Sequence, residues 1–138
     1  MAPGREREAN ERFAQRYGEE RGDLLHSIEL AVIGADWGAN GYTTVIQADE
    51  LAAMLELGAD SMVLDLGAGR GWPGLYMAAA TGCSVVLTDV PIEGLAFARE
   101  RSLREGVGDR TWPVNASARD LPFPPETFDA VVHTDVLC

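Results

Sequence analysis

Between residues 61 and 89 the chain reads SMVLDLGAGRGWPGLYMAAATGCSVVLTD, and the order of its apolar runs and glycines decides the fold. SMVLDLG (61–67) is a short apolar run bounded by turn residues, which predicts a strand buried on both faces. GLYMAAAT (74–81) predicts a helix, with Pro73 at its first position and Gly82 just beyond its end. CSVVLTD (83–89) predicts a second buried strand, in which Cys83 is a small apolar filler. The glycines between strand and helix carry the chemistry. Gly67 lets the chain turn sharply, because glycine takes φ > 0 without penalty. Gly69 and Gly71 lack Cβ, so a ligand can lie against the backbone there.

Outward from this unit the same alternation continues. Pro91 opens a helix, IEGLAFARERSLRE, which Gly106 closes. TWPVNA (111–116) is a weaker strand that Pro113 places near an edge, and FDAVVHTD (128–135) is a fourth. Upstream, residues 5–21 form an amphipathic helix with Ala9, Phe13 and Tyr17 on one stripe. A second helix runs from an Asp23 N-cap to Gly34, with Leu25, Ile28 and Val32 on its apolar face. GADWGANGYT is a loop, and Thr44 with Gln47 has capping-box spacing for a helix that Gly58 ends. The expected fold is therefore α/β: a Rossmann-like, mostly parallel sheet with helices on both faces.

The 138 residues suit one domain and carry 11 basic and 22 acidic side chains, for a net charge of −11. Such a surface repels phosphate backbones, which argues against nucleic acid as a partner. No apolar stretch approaches the roughly 20 residues of a membrane span, and MAPGREREANERF is no secretory signal. Cys83 and Cys138 make no metal or disulfide pattern, no His/Cys/carboxylate cluster has metal spacing, and a cytoplasmic setting is expected.

Two cofactors compete for the loop. Gly69, Gly71 and Gly74 spell GxGxxG, the fingerprint of an NAD(P)-dependent oxidoreductase. That register fits badly, since Leu66, Gly67 and Ala68 separate it from the strand and Pro73 interrupts it. Asp65, inside the strand, would oppose a pyrophosphate and attract an ammonium. Asp89, 24 residues on at the next strand's end, can accept hydrogen bonds from both ribose hydroxyls, or cap the helix that follows. The pair favours a cationic amino-acid cofactor carrying a ribose.

VLDLGAGRG (63–71), TDV (88–90) and LPFPPETFDAVV (121–132), at their mutual spacing, resemble the class I S-adenosylmethionine-dependent methyltransferases. The resemblance is nearest to the small-molecule group that includes the ubiquinone and menaquinone biosynthesis enzymes, and it covers about residues 40–138. It implies that Asp65 holds the methionine amino group through water or an amide, with Gly67, Ala68 and Gly69 packed on the cofactor. Asp89 would bind the ribose and Val90 flank the adenine. Ser117 replaces the family's usual Asp at the adenine amino group, a weaker acceptor, and Ala118 would offer its N–H to the ring. His133 falls beside the methyl-donor sulfur, as a pocket wall or a general base, with Asp135 a lesser candidate. Methyl transfer from a sulfonium needs positioning and desolvation more than a base.

The resemblance also divides the chain into a helical lid segment, 1–44, and a cofactor domain, 45–138, that stops after its fourth strand. Trp37 and Tyr42 would either close over the sulfonium or pack on the sheet. His26 is expected as an ordinary helix histidine. Ending at Cys138 would leave AVVHTDVL (130–137) as an apolar edge that invites self-association. The expected activity is methyl transfer to a small-molecule acceptor. The alternatives are an NAD(P)-dependent oxidoreductase, or a non-catalytic cofactor-binding fragment that needs a partner or a missing C-terminal half.

Overall fold

Strand β1 (Met62–Leu66) is the axis of the sheet, paired in parallel with β2 (Ser84–Asp89) on one side and β4 (Ala130–Val132) on the other. β3 (Thr111–Asn115) adds in parallel to β2, giving the order β3-β2-β1-β4. The computed structural model describes residues 3–39 and 41–136. Around the sheet lie α1 (Pro3–Gly18), α2 (Asp23–Val32), α3 (Val45–Met54), α4 (Gly74–Thr81) and α5 (Ile92–Arg104). The sheet order reverses between β1 and β4, and ligands of open α/β sheets bind at such a point.

The core is apolar β-strand and helix surface: Val63, Leu64, Leu75, Met77, Ala78, Val85 and Leu87 are all buried. Cys83 is fully buried one residue before β2, and burial pushes its thiol up. α5 packs on β2 and β3 and is itself covered by α1, while α3 packs on α4. Pro113 lies on β3, at the sheet edge, where its missing N–H costs no ladder bond to a further strand.

Several local expectations hold in detail. Thr44 and Gln47 form a full capping box at the start of α3, and Gly82 ends α4 in the left-handed region. Others need correction. Gly22, not Asp23, is the N-cap of α2, and Asp23 is its first helical residue. α3 stops at Met54, followed by Glu56 at φ 53, so the helix has ended before Gly58. Pro73 caps α4 instead of opening it. β4 has three residues where eight were expected, because only Ala130, Val131 and Val132 find partners on β1, opposite Val63, Leu64 and Asp65. Leu137 and Cys138 lie outside the described residues.

The largest departure is α2. Leu25, Ile28 and Val32, the expected core face, are about half exposed, and the helix buries Glu29 instead. Glu29 Oε1 accepts from the backbone N–H of Trp37 (2.8 Å) and of Ala39 (2.9 Å), and Oε2 pairs with Arg21. The carboxylate thus folds the loop after α2 back onto the helix. Trp37 then packs in an aromatic cluster with Trp72 (6.4 Å between centroids) and Tyr76 (5.8 Å).

Candidate functional site

The glycine loop is suspended from the end of β2. Gly67 and Ala68 both donate their N–H to Thr88 O, at 2.8 and 2.9 Å. Beneath the loop, Asp65 is buried and its Oδ2 accepts from Gly74 N–H at 2.9 Å, so the strand acid ties down the start of α4. Burial pushes the Asp65 carboxyl up to about 7, with the Gly74 N–H pulling it down and the Asp89 charge pushing it further up. Asp89 Oδ2 accepts from Gly69 N–H at 2.7 Å and its Oδ1 from Val90 N–H at 2.8 Å. Its carboxyl is also raised, by burial first. Two partly desolvated carboxylates therefore hold the loop from below and from the side. A cation placed over it would lower the cost of their charge.

The glycines divide by what they face. At Gly71 (φ 98) a Cβ would stand 2.6 Å from Leu75 Cδ1, so its bareness serves helix packing and not a ligand, contrary to the sequence expectation. Gly69 (φ 53) faces Tyr17, whose ring would lie 3.2 Å from an added Cβ. Gly67, Ala68 and Gly69 line a cavity of about 60 Å³ together with Phe13, Tyr17 and Trp72.

Tyr17 and Arg70 are the site residues that the sequence did not single out. Tyr17 looked like one more apolar position on α1; in the structure it is buried over Gly69, and burial and Asp89 push its phenol to about 12. Arg70, the variable letter of GAGRG, is buried and donates to the carbonyls of Tyr17 and Glu19 beyond and within the last turn of α1. Its guanidinium lies 4.4 Å over the Phe97 ring. One side chain from the loop thus fastens α1 across the loop. The only signal for it was a charge in an otherwise uncharged turn.

The adenine-side candidates lie beyond β2 and β3. Asn115 Nδ2 donates to the carbonyls of Asp89 and Val90, which brings the two strand ends together. Val90 is partly exposed; Ser117 Oγ accepts from Arg119 N–H, and Ala118 is exposed. On the other side, exposed His133 follows β4 and lines a cavity of about 350 Å³ with Thr43, Gln47, Glu50, Leu51 and Met54. Asp135 Oδ2 accepts from Tyr42 N–H, Thr43 N–H and Thr43 Oγ1, so it tethers the loop before α3. Trp37 packs on the aromatic cluster and Tyr42 is 82% exposed, so neither stands over the glycine loop. Among the described residues no His/Cys/Asp/Glu group is placed to hold a metal, and no helix is long and apolar enough to cross a membrane.

A parallel 3-2-1-4 sheet, a glycine turn after β1 and an acid at the end of β2 define a Rossmann-like cofactor-binding domain. Residues 63–138 match the model of the methyltransferase domain family. The chain belongs to that family, within the class I S-adenosylmethionine-dependent methyltransferases. It is 36% identical over 83 residues to 27-O-demethylrifamycin SV methyltransferase of Amycolatopsis mediterranei, covering 60% of this chain and 30% of that one. It is 34% identical to sarcosine/dimethylglycine N-methyltransferase of Halorhodospira halochloris, covering 58% and 29%. These alignments span under a third of each curated relative. Among solved structures, a SAM-dependent methyltransferase from Geobacter sulfurreducens in complex with S-adenosyl-L-homocysteine superposes with a TM-score of 0.64. That match is at 23% identity and covers 80% of this chain and 43% of that one.

Proposed function

We propose that this chain forms the cofactor-binding part of a methyltransferase that transfers a methyl group from S-adenosylmethionine to a small molecule. The observation that carries the reading is the pair of carboxylates bracketing the glycine loop, buried Asp65 inside β1 and partly buried Asp89 at the end of β2. A sulfonium cofactor with an ammonium and a ribose fits that charge pattern, whereas a pyrophosphate does not. When bound, S-adenosylmethionine supplies a methyl group already attached to a good leaving group.

The chain's own residues then bind and orient. Asp65 acts through the loop it ties down and gives the ammonium end a negative field. Gly67, Ala68 and Gly69 provide bare backbone at the cavity wall. Asp89 turns its oxygens from the Gly69 and Val90 amides to the ribose hydroxyls, with Val90, Ser117 and Ala118 bordering the adenine. The cavity of about 60 Å³ is well below the size of an ordinary ligand pocket, so Phe13 and Tyr17 must draw back as the cofactor enters. His133, on the wall of the neighbouring cavity with Glu50, is placed to take a proton from an acceptor. The residues 1–44 act as the cover and 45–138 as the cofactor domain in this reading. A small acceptor is supported by the names of the rifamycin and sarcosine enzymes and by the charge of −11.

Calorimetry with S-adenosylhomocysteine tests the proposal. The wild-type chain should bind it, and Asp89→Ala should weaken binding by about 1–3 kcal/mol, the range for hydrogen bonds to a charged group. A folded sample that gives no heat with either S-adenosylhomocysteine or S-adenosylmethionine overturns the reading.

A further inference from the structure

A second cavity, of about 280 Å³, opens between the end of α1, the start of α2, the loop at 36–38 and the outer face of α5. Four of the chain's arginines line it: Arg21, Arg70, Arg101 and Arg104. They come from four separate stretches of sequence or helix turns, and gather cationic groups in a protein whose net charge is −11.

Their partners differ. Arg21 pairs with Glu29, and Arg101 pairs with Glu105 at 3.0 Å and reaches Asp36 at 3.8 Å. Arg70 donates only to backbone carbonyls, and Arg104 has no hydrogen-bond or ion-pair partner among the described residues. Of the acids on the wall, Asp36 is shared between Arg101 and His26, which stands 3.0 Å away; Glu20 is exposed. Arg104 is thus left without a carboxylate partner beside a concave space, and Arg70 feels Glu29 and Glu19 through space without bonding either carboxylate. Burial and the nearby Arg21 charge lower the Arg70 guanidinium from its usual range, against the opposing pull of Glu29, Tyr17 and Glu19.

We propose that this cavity is a binding site for a compact anionic ligand, one that presents a phosphate or carboxylate to Arg70 and Arg104. Arg104 offers a guanidinium fork that matches the oxygens of either group, and Arg70, whose Nε and Nη2 bind backbone carbonyls, adds its Nη1. The aromatic neighbours do not compete for the ligand, because Arg70 covers the face of Phe97 and Arg101 lies 5.6 Å over Trp37. Arg70 and Gly38 also border the glycine-loop cavity, so the two spaces share a wall. An anion held by Arg70 would touch the side chain that fastens α1 over Gly69.

The experiment titrates inorganic phosphate, and separately succinate, at ionic strength held constant with sodium chloride. Tryptophan fluorescence serves as the readout, since Trp37 lines the cavity. A saturable change is expected with at least one probe; phosphate alone points to a phosphorylated ligand, and succinate to a carboxylate. Arg104→Ala removes an exposed side chain without partners and should fold normally while weakening binding about tenfold. Arg5→Ala, which removes the same charge from α1 outside the cavity, should leave it unchanged. No saturable change beyond sodium chloride, or equal losses in the two variants, overturns the proposal.

Discussion

Replacing Glu29 with alanine is expected to cost about 3–5 kcal/mol, the penalty for removing one partner of a buried ion pair. The carboxylate is buried, and so is most of Arg21, whose side chain is 15% exposed. Truncation leaves that guanidinium and two backbone N–H groups, of Trp37 and Ala39, without their acceptor. The loss should fall on the loop after α2 before it reaches the sheet, since no sheet residue touches Glu29 in these bonds. Hydrogen exchange should therefore show the Trp37 and Ala39 amides losing protection first, with urea unfolding recording the total. Glu29→Gln keeps an acceptor for the two amides and should lose less. A Glu29→Ala protein within about 1 kcal/mol of wild type would remove this carboxylate as the fastener of the loop.

Asp65→Asn should gain stability relative to wild type as pH rises. The Asp65 carboxyl is raised from 3.8 to about 7 in the folded chain, so the folded state holds its proton more tightly than the unfolded one. Well below pH 3.8 both states are protonated and that advantage is fully present. It is lost as pH rises through about 7, where the buried group must ionise. At 1.36 kcal/mol per unit the loss is about 4 kcal/mol. Asparagine keeps an oxygen to accept from Gly74 N–H and does not titrate. Urea unfolding of both proteins at pH 4 and pH 8 cancels the acids distant from Asp65, since they are shared. Wild type should lose about 4 kcal/mol against the variant between the two. A difference that does not move with pH would show that Asp65 stays ionised throughout.

These two acids also show where sequence reading works and where it stops. Asp65 and Asp89 were legible because their settings are local: each ends or interrupts an apolar run, and the glycine turn lies between them. The strands, α4 and the capping box of α3 follow from patterns within a few residues of one another. Glu29 was not legible. Periodicity put Leu25, Ile28 and Val32 inward, and only the claim of Arg21 and of the folded-back loop on the carboxylate, from outside the helix, turns α2 the other way. Tyr17 was seen as apolar packing on α1, and its place over Gly69 depends on Arg70, 53 positions later, gripping its carbonyl. The arginine cavity was invisible for the same reason, since its four cations meet only when α1, α2 and α5 pack. Helix ends failed more modestly: Gly58 was a reasonable stop for α3, but Glu56 takes the left-handed turn first.

The position of β1 between β2 and β4 sets an order of assembly. β2 returns to β1 across a single helix, whereas Met62 and Asp129, which join β1 to the start of β4, are 67 residues apart. Closing the longer loop costs more chain entropy, and distant pairings form late. The first crossover therefore closes first, and it already contains the glycine turn, Asp65 and Asp89. On a ribosome, where the N-terminal part of a chain emerges ahead of the rest, the cradle exists before the fourth strand has been made.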